Sequence, residues 1–183
     1  MKTKQKIILI YGLFLVFYFI LLALDKTLYS LFAIQITESI RNIVFSIQQD
    51  LIFFPIVFLF GLACIYFKKG ENNKRNKKTI AFIISITISL FIVFILKTFI
   101  YKSRPDLLLG FDSFPSGHAT ILFTLFPFIK ENPNLIKISY IIFATLILLS
   151  RFLFGYHYLS DLLLGAMIGY SISLLTKFIL TKR

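Results

Sequence analysis

Cysteine, histidine and acidic side chains are all scarce in this chain. A single cysteine among 183 residues, Cys64, excludes an intrachain disulfide. Its place inside an apolar run gives it the character of a small hydrophobe. Eight acidic residues stand against twenty basic ones, and there are only two histidines, so a site built from clustered carboxylates and imidazoles has little to draw on. Internal repeats, low-complexity tracts and flexible linkers are also missing, which leaves one domain, residues 1–183.

What the chain has in abundance is apolar surface. Hydrophobic residues make up 58% of the positions and the mean hydropathy is +0.86, beyond the roughly 45–50% apolar share of soluble domains. Residues 7–24 and 79–96 form uncharged runs of 18 residues, and 51–67 one of 17. A spanning helix needs about 20 mostly apolar residues, with a lower limit near 17. Three further runs, 119–129, 138–150 and 162–176, reach that length only if their helices continue through polar residues, over about 116–130, 135–152 and 157–180. The expected fold is all-α, an integral membrane bundle of six transmembrane helices. Lys2, Lys4 and Lys6 ahead of the first run resemble a signal-peptide start. That run is longer than an h-region of about 7–15 residues and lacks a small-x-small cleavage site, so an uncleaved anchor is expected.

The net charge of +12 is distributed in a way that argues against nucleic acid as a partner. With six spans, the N-terminus, loops 68–78 and 130–137 and the C-terminal tail share one side. That side carries fourteen basic residues, offset only by Glu71 and Glu131. The other side balances six basic residues with six acidic ones. An excess of Lys and Arg in short loops marks the cytoplasmic face. Both termini are therefore expected in the cytoplasm, with the opposite face outside the membrane. The Lys/Ile/Phe/Asn-rich composition suggests a bacterial source, and hence the inner membrane.

Between the first two runs, Leu28, Phe32, Ile36, Ile40, Ile43 and Ile47 recur every three or four residues. Thr37, Glu38, Arg41, Gln48 and Gln49 fall largely off this stripe. The 26–50 segment reads as one amphipathic helix, either lying in the outer interface and admitting lipid or packed on the bundle as scaffold.

Ionisable groups at membrane depth are costly and by default mark a functional site. Here they gather in short clusters on the outward side. His157 and Asp161 are four residues apart at the start of the last helix, which puts them on one face. A carboxylate there accepts the Nδ1 proton, fixes the tautomer and leaves Nε2 as nucleophile or base. Ser116 and Gly117 lead into a helix whose first-turn N–H groups suit a phosphate, and Gly117 lets an oxyanion approach the backbone. His118, in the same turn, is placed to protonate a leaving oxygen. Lys97, Arg104 and Arg151 add three cations, the collection that phosphoryl transfer needs. Each has a duller explanation alone: snorkelling anchors for Lys97 and Arg151, a helix-start charge for Asp161, a core side chain for His118. Their concentration on one face does not.

These residues resemble a known family. Lys97 with Arg104-Pro105 matches K-x6-R-P, Pro115 to His118 matches P-S-G-H, and Ser150-Arg151, His157 and Asp161 match S-R-x5-H-x3-D. The chain is similar to the type-2 phosphatidic acid phosphatase superfamily, in its membrane lipid phosphatase branch. The resemblance implies that His157 attacks phosphorus to form a phosphohistidine while Asp161 holds its ring. It implies that His118 protonates the departing oxygen, and that Lys97, Arg104, Arg151, Ser116 and the Gly117 amide hold the phosphate oxygens. It implies no cofactor, a phosphorylated lipid as substrate, and no obligate protein partner beyond membrane lipid; the charge distribution puts the site at the outer face. Undecaprenyl diphosphate, phosphatidylglycerol phosphate, phosphatidic acid and lipid A phosphate all fit. Soluble haloperoxidases of the superfamily use a similar pocket for vanadate, but membrane burial argues against that activity.

Two other readings stand beside this one. A metal-dependent phosphatase needs several carboxylates or imidazoles around its ions. Only Asp106, Asp112 and Asp161 lie near the motifs, so no catalytic metal is expected. An anion transporter or channel accounts for intramembrane charge, but not for two histidines beside a phosphate-binding helix start.

Overall fold

The computed structural model describes residues 3–33, 39, 42, 43, 46, 49–66 and 72–181. Six α-helices form among them: α1 Thr3–Phe32, α2 Asp50–Tyr66, α3 Asn72–Phe99, α4 Gly117–Ile129, α5 Asn134–Leu153 and α6 Leu159–Thr181. A 3-10 turn, Leu107–Leu109, lies in the loop between α3 and α4, and no strand forms among the described residues.

Four of these helices, α1 (over Leu9–Phe32), α3, α5 and α6, are long and apolar enough to cross a membrane. The other two are apolar but shorter, at 17 and 13 residues. At 1.5 Å per residue α4 is about 20 Å long, less than the roughly 30 Å of a bilayer core. Its position explains how so short a helix persists. Ten of its residues are buried, among them Ile121, Leu122, Leu125 and Phe128, which pack with Phe53, Val57 and Phe82 from α2 and α3. Irregular backbone at membrane depth is tolerated where protein encloses it.

α4 and α6 come together through two glycines that carry no sequence signal of their own. A Cβ on Gly169 would lie 2.0 Å from the Thr120 carbonyl oxygen, and one on Gly165 2.5 Å from that of Ser116. Small residues at such a crossing bring two backbones close. Buried hydroxyls along the same seam bond to helix carbonyls, Thr120 to Ser116 O at 2.9 Å and Thr124 to Thr120 O at 2.8 Å.

The bundle has two chemically distinct ends. At one, Glu131 accepts from Lys78 at 2.5 Å and Lys177 at 3.1 Å, tying α3, α6 and the α4–α5 turn together. At the other lie Lys97 and the α3–α4 and α5–α6 loops. Lys78 and Lys97 sit on the same helix, about 28 Å apart by helical rise.

α1 differs from the sequence-based expectation. It does not stop at the Leu24–Asp25 boundary but continues two turns, to Phe32. Leu28 and Tyr29 of that extension pack on Phe152 and Leu162, so the first part of the expected amphipathic segment is the end of α1. Most of the remainder of that segment lies outside the described residues. The extension is possible because Asp25, which would otherwise end the apolar run, is buried and satisfied by Lys102 and Ser160.

Candidate active site

The loop between α3 and α4 folds back onto the α5–α6 turn through short backbone contacts. Arg104 N donates to Gly110 O at 3.0 Å, Ser113 N to Lys102 O at 3.1 Å, and Asp106 N to Gly155 O at 3.1 Å. Gly155 has φ +76°, and a Cβ there would meet Asp106 Cβ at 2.7 Å and the Tyr29 hydroxyl at 2.6 Å. Only glycine satisfies both the left-handed backbone and the close approach. This docking brings residues 97–116 of the first two motifs against residues 151–161 of the third.

His157 sits in that turn, before α6, and is 2% exposed. Its Nδ1 lies 2.6 Å from the Ser113 carbonyl oxygen and its backbone N–H donates to Arg151 O. A carbonyl only accepts, so Nδ1 carries the proton and the lone pair is on Nε2. Burial, then the fields of Arg151, Arg104 and Lys97, hold the His157 pKa well below its ordinary value.

The cations are held by residues outside the three motifs. Asp112 accepts from Arg104 Nε at 2.8 Å and from Lys97 Nζ at 3.4 Å, and Lys97 Nζ also donates to the Asp112 carbonyl. Burial alone would raise the Asp112 carboxyl, but Arg104 and Lys97 outweigh it and hold the pKa below the usual range. Arg151 is buried with its guanidinium 4.4 Å from the Tyr156 ring centroid, and Arg104 lies 5.9 Å from the same ring. The Tyr156 ring thus lies near both guanidinium groups.

At the start of α4, Ser116 is the N-cap and accepts from Ala119 N at 3.5 Å. Its own N–H donates to Asp161 O at 3.2 Å. Gly117 opens the helix in uncrowded space, where an added Cβ would meet only Phe54 Cζ at 3.5 Å. His118 is buried against Phe53, with ring centroids 4.3 Å apart, and its Nδ1 lies 3.5 Å from Asp50 Oδ1 at the start of α2.

Residues 78–183 match the PAP2 superfamily. The chain belongs to the PAP2 superfamily. Among solved structures, LpxE of Aquifex aeolicus is similar with a TM-score of 0.62 and 26% identity, over 84% of this chain and 94% of that one. A transmembrane PAP2-type phosphatidylglycerolphosphate phosphatase from Bacillus subtilis shares the fold with a TM-score of 0.64 and 19% identity, over 91% of this chain and 93% of that one. No curated protein sequence matches the chain.

Of the residues in the three motifs, Arg151, Arg104 and Lys97 lie close enough for their charges to bear on His157. One contact requires correction. Asp161 does not hold the His157 ring. Its Oδ1 accepts from Lys102 Nζ at 2.8 Å, and its Oδ2 accepts from Ser113 Oγ at 2.5 Å and from Tyr158 N at 3.0 Å. The expectation placed both residues on one helical face, but α6 begins only at Leu159. Asp161 instead reaches back to cap its own helix, and the Ser113 carbonyl takes the imidazole.

Five residues of this PAP2 chain that the motifs did not indicate take part in the site: Asp25, Lys102, Asp112, Ser113 and Tyr156. Asp50 joins them through His118. Asp25 and Asp50 fall before residue 78, outside the matched segment. A sequence signal existed for Asp25, a lone carboxylate directly after an 18-residue apolar run. Lys102 lies within the unspecified stretch of the first motif and gave none. Among the described residues no cluster of three or more His, Cys, Asp or Glu side chains is placed to hold a metal ion.

Proposed function

We propose that this chain is a membrane lipid phosphatase that hydrolyses a phosphate or diphosphate monoester headgroup through a phosphohistidine, without a metal. The observation that carries the reading is the state of His157. Its Nδ1 is occupied by a carbonyl, which leaves the lone pair on Nε2, and three cations bear on the ring. A neutral imidazole among cations is a nucleophile suited to a phosphate dianion.

In the proposed reaction His157 Nε2 bonds to phosphorus as the phosphorus–oxygen bond to the lipid breaks. His118, whose Nδ1 lies 3.5 Å from Asp50 Oδ1, gives its proton to the departing oxygen. His118, now neutral, takes a proton from water as that water attacks phosphorus. The phosphorus–nitrogen bond breaks, inorganic phosphate leaves and His157 is restored. Lys97, Arg104 and Arg151 neutralise the equatorial oxygens, with Ser116 and the Gly117 amide at the α4 start.

Metal independence is supported by the donor set. Cations surround the nucleophile, and the two nearby buried carboxylates, Asp25 and Asp161, are engaged by Lys102. The substrate class is a phosphorylated or diphosphorylated lipid, with undecaprenyl diphosphate, phosphatidylglycerol phosphate, phosphatidic acid and lipid A phosphate as the candidates. The charge bias supports six spans in a bacterial inner membrane, with both termini cytoplasmic and the site outside. Phosphate release by the purified protein from this lipid panel tests the reading. Turnover of at least one lipid, absent in His157→Ala, is expected, and no release from any would overturn it.

A further inference from the structure

α1 presents an unusual face to the bundle. Its apolar residues from Leu9 to Leu24 are mostly exposed, as suits a helix wrapped in lipid, while its one buried residue among those described is Asp25, 4% exposed. That carboxylate lies 2.8 Å from Lys102 Nζ and accepts from the Ser160 backbone at 3.2 Å and the Ser160 hydroxyl. Lys102 Nζ donates in addition to Ser160 Oγ at 2.9 Å and to Asp161 Oδ1 at 2.8 Å. Three donors meet three acceptors, so the ammonium is saturated. Asp161 in turn holds the hydroxyl of Ser113, whose carbonyl holds His157. One continuous polar path therefore runs from α1 to the imidazole, through three other elements.

We propose that Lys102 and Asp25 are positioning residues for the nucleophile: through Asp161 and Ser113 they fix the place and the proton of His157, so that α1 is part of the reaction's machinery and not only a membrane anchor. The inference rests on His157 being the nucleophile of the proposed phosphatase. Asp161 is fully buried, and a buried carboxylate without its cation protonates or moves. Either event frees the Ser113 hydroxyl and with it the carbonyl that aligns the ring. A displacement of about 1 Å at a reacting group costs on the order of 10²-fold in rate.

Opposite charges at the two positions give opposite signatures. The groups facing His157 are Lys97 from α3, Arg104 from the loop and Arg151 from α5. Those facing Lys102 are Asp25 and Tyr18 from α1, Tyr158 from the turn and Asp161 from α6. Burial would lower the Lys102 pKa, but Asp161 and Asp25 together hold it above the ordinary lysine value, so the ammonium stays charged through the working range. Removing that cation makes protonation of His157 and of Asp161 easier, and both move the acid limb of kcat/KM to higher pH. Removing the Asp25 charge leaves the cation less compensated and moves the limb to lower pH.

The test compares parent, Lys102→Met, Lys102→Arg and Asp25→Asn, each purified in detergent and checked for monodisperse elution. Lys102→Met is expected to lose roughly 10²-fold in kcat with KM within about twofold, and Lys102→Arg to recover most of it. The two acid limbs should shift in opposite directions. A folded Lys102→Met with the parent's kcat and acid limb would overturn the proposal. If Lys102→Met does not fold, Asp25→Asn, which keeps shape and acceptor, decides alone: an unmoved limb overturns it. The His157 pKa, followed by NMR of ¹⁵N-histidine-labelled protein with only two histidines to assign, gives the same opposite shifts without turnover. A parent that releases no phosphate while these shifts appear would sink the phosphatase reading and leave the positioning path standing.

Discussion

His157 and Asp161 share no hydrogen bond. Both bind Ser113, His157 through the carbonyl at 2.6 Å and Asp161 through the hydroxyl at 2.5 Å. The orienting group of the proposed nucleophile is thus a backbone atom, and the carboxylate acts one residue removed. Ser113→Ala keeps the carbonyl but loses the hydroxyl that anchors it, so kcat is expected to fall on the order of 10²-fold, within the usual worth of one hydrogen bond to a charged group. Asp161→Asn, which also removes one of the two carboxylates paired with Lys102, should fall further, with KM little changed in both. Steady-state kinetics of the two variants checks the order. Direct orientation by Asp161 would leave Ser113→Ala at parent rates.

Gly117 and Gly169 separate chemistry from packing. A Cβ at Gly117 meets only Phe54 at an ordinary distance, so Gly117→Ala should melt near the parent temperature yet lose turnover, because in the proposed role of Gly117 the methyl would stand where a phosphate oxygen approaches the backbone. A Cβ at Gly169 meets the Thr120 carbonyl oxygen at 2.0 Å, and Gly169→Ala should destabilise by about 3 kcal/mol through overpacking. Thermal unfolding in detergent alongside phosphate release distinguishes the two.

Much of the candidate site was legible in the sequence because its ionisable groups are polar residues in an apolar chain, where each charge stands out. Lys97, Arg104, His118, Arg151 and His157 could be named from their clustering and from the three motifs. The residues that hold them could not. Ser113 acts through its backbone, Tyr156 looks like any aromatic in a chain with nine tyrosines, and Lys102 is one more base among twenty. The fold was legible to the same degree. Helix positions followed hydropathy, but the shortness of α4 and its seam against Gly165 and Gly169 depend on enclosure by neighbours, which no local pattern reports. α1 overran its apparent end because Asp25 found a partner 77 residues away.

Arg151→Lys tests whether shape matters beyond charge. The Arg151 guanidinium stacks on Tyr156, and its planar fork makes paired contacts to an oxyanion that an ammonium does not. Turnover is expected to fall on the order of 10²-fold although the charge is kept. Retention of parent kcat/KM would mean that the site needs only a cation there.

The acid side of the pH profile follows from the depressed His157 pKa. In the proposed role His157 must be neutral, and burial with Arg151, Arg104 and Lys97 disfavours the imidazolium. Activity should therefore persist below pH of about 6.5, the ordinary histidine value. Arg104→Gln removes one of those cations, makes protonation easier and should move the acid limb upward, whatever its effect on rate. A limb unmoved in that variant would place the titration elsewhere.

Sidedness and metal dependence are open to equally plain tests. In a Cys64→Ala background, Leu107→Cys lies on an exposed position of the site loop and Asn73→Cys on one at the basic end. A membrane-impermeant thiol reagent applied to whole cells is expected to label the first and not the second. Activity is expected to survive EDTA and to be inhibited by vanadate, which mimics five-coordinate phosphorus. Loss in EDTA restored by a divalent ion would revive the metal-dependent alternative.

The covalent intermediate is the centre of the account, and rapid quench with a ³²P-labelled lipid headgroup tests it most directly. The expected result is a protein-bound phosphoryl group, stable in alkali and lost in acid as a phosphorus–nitrogen bond should be. It should map by mass spectrometry to His157 and be absent in His157→Ala. A label on another residue, or full turnover with no label at any quench time, would contradict it.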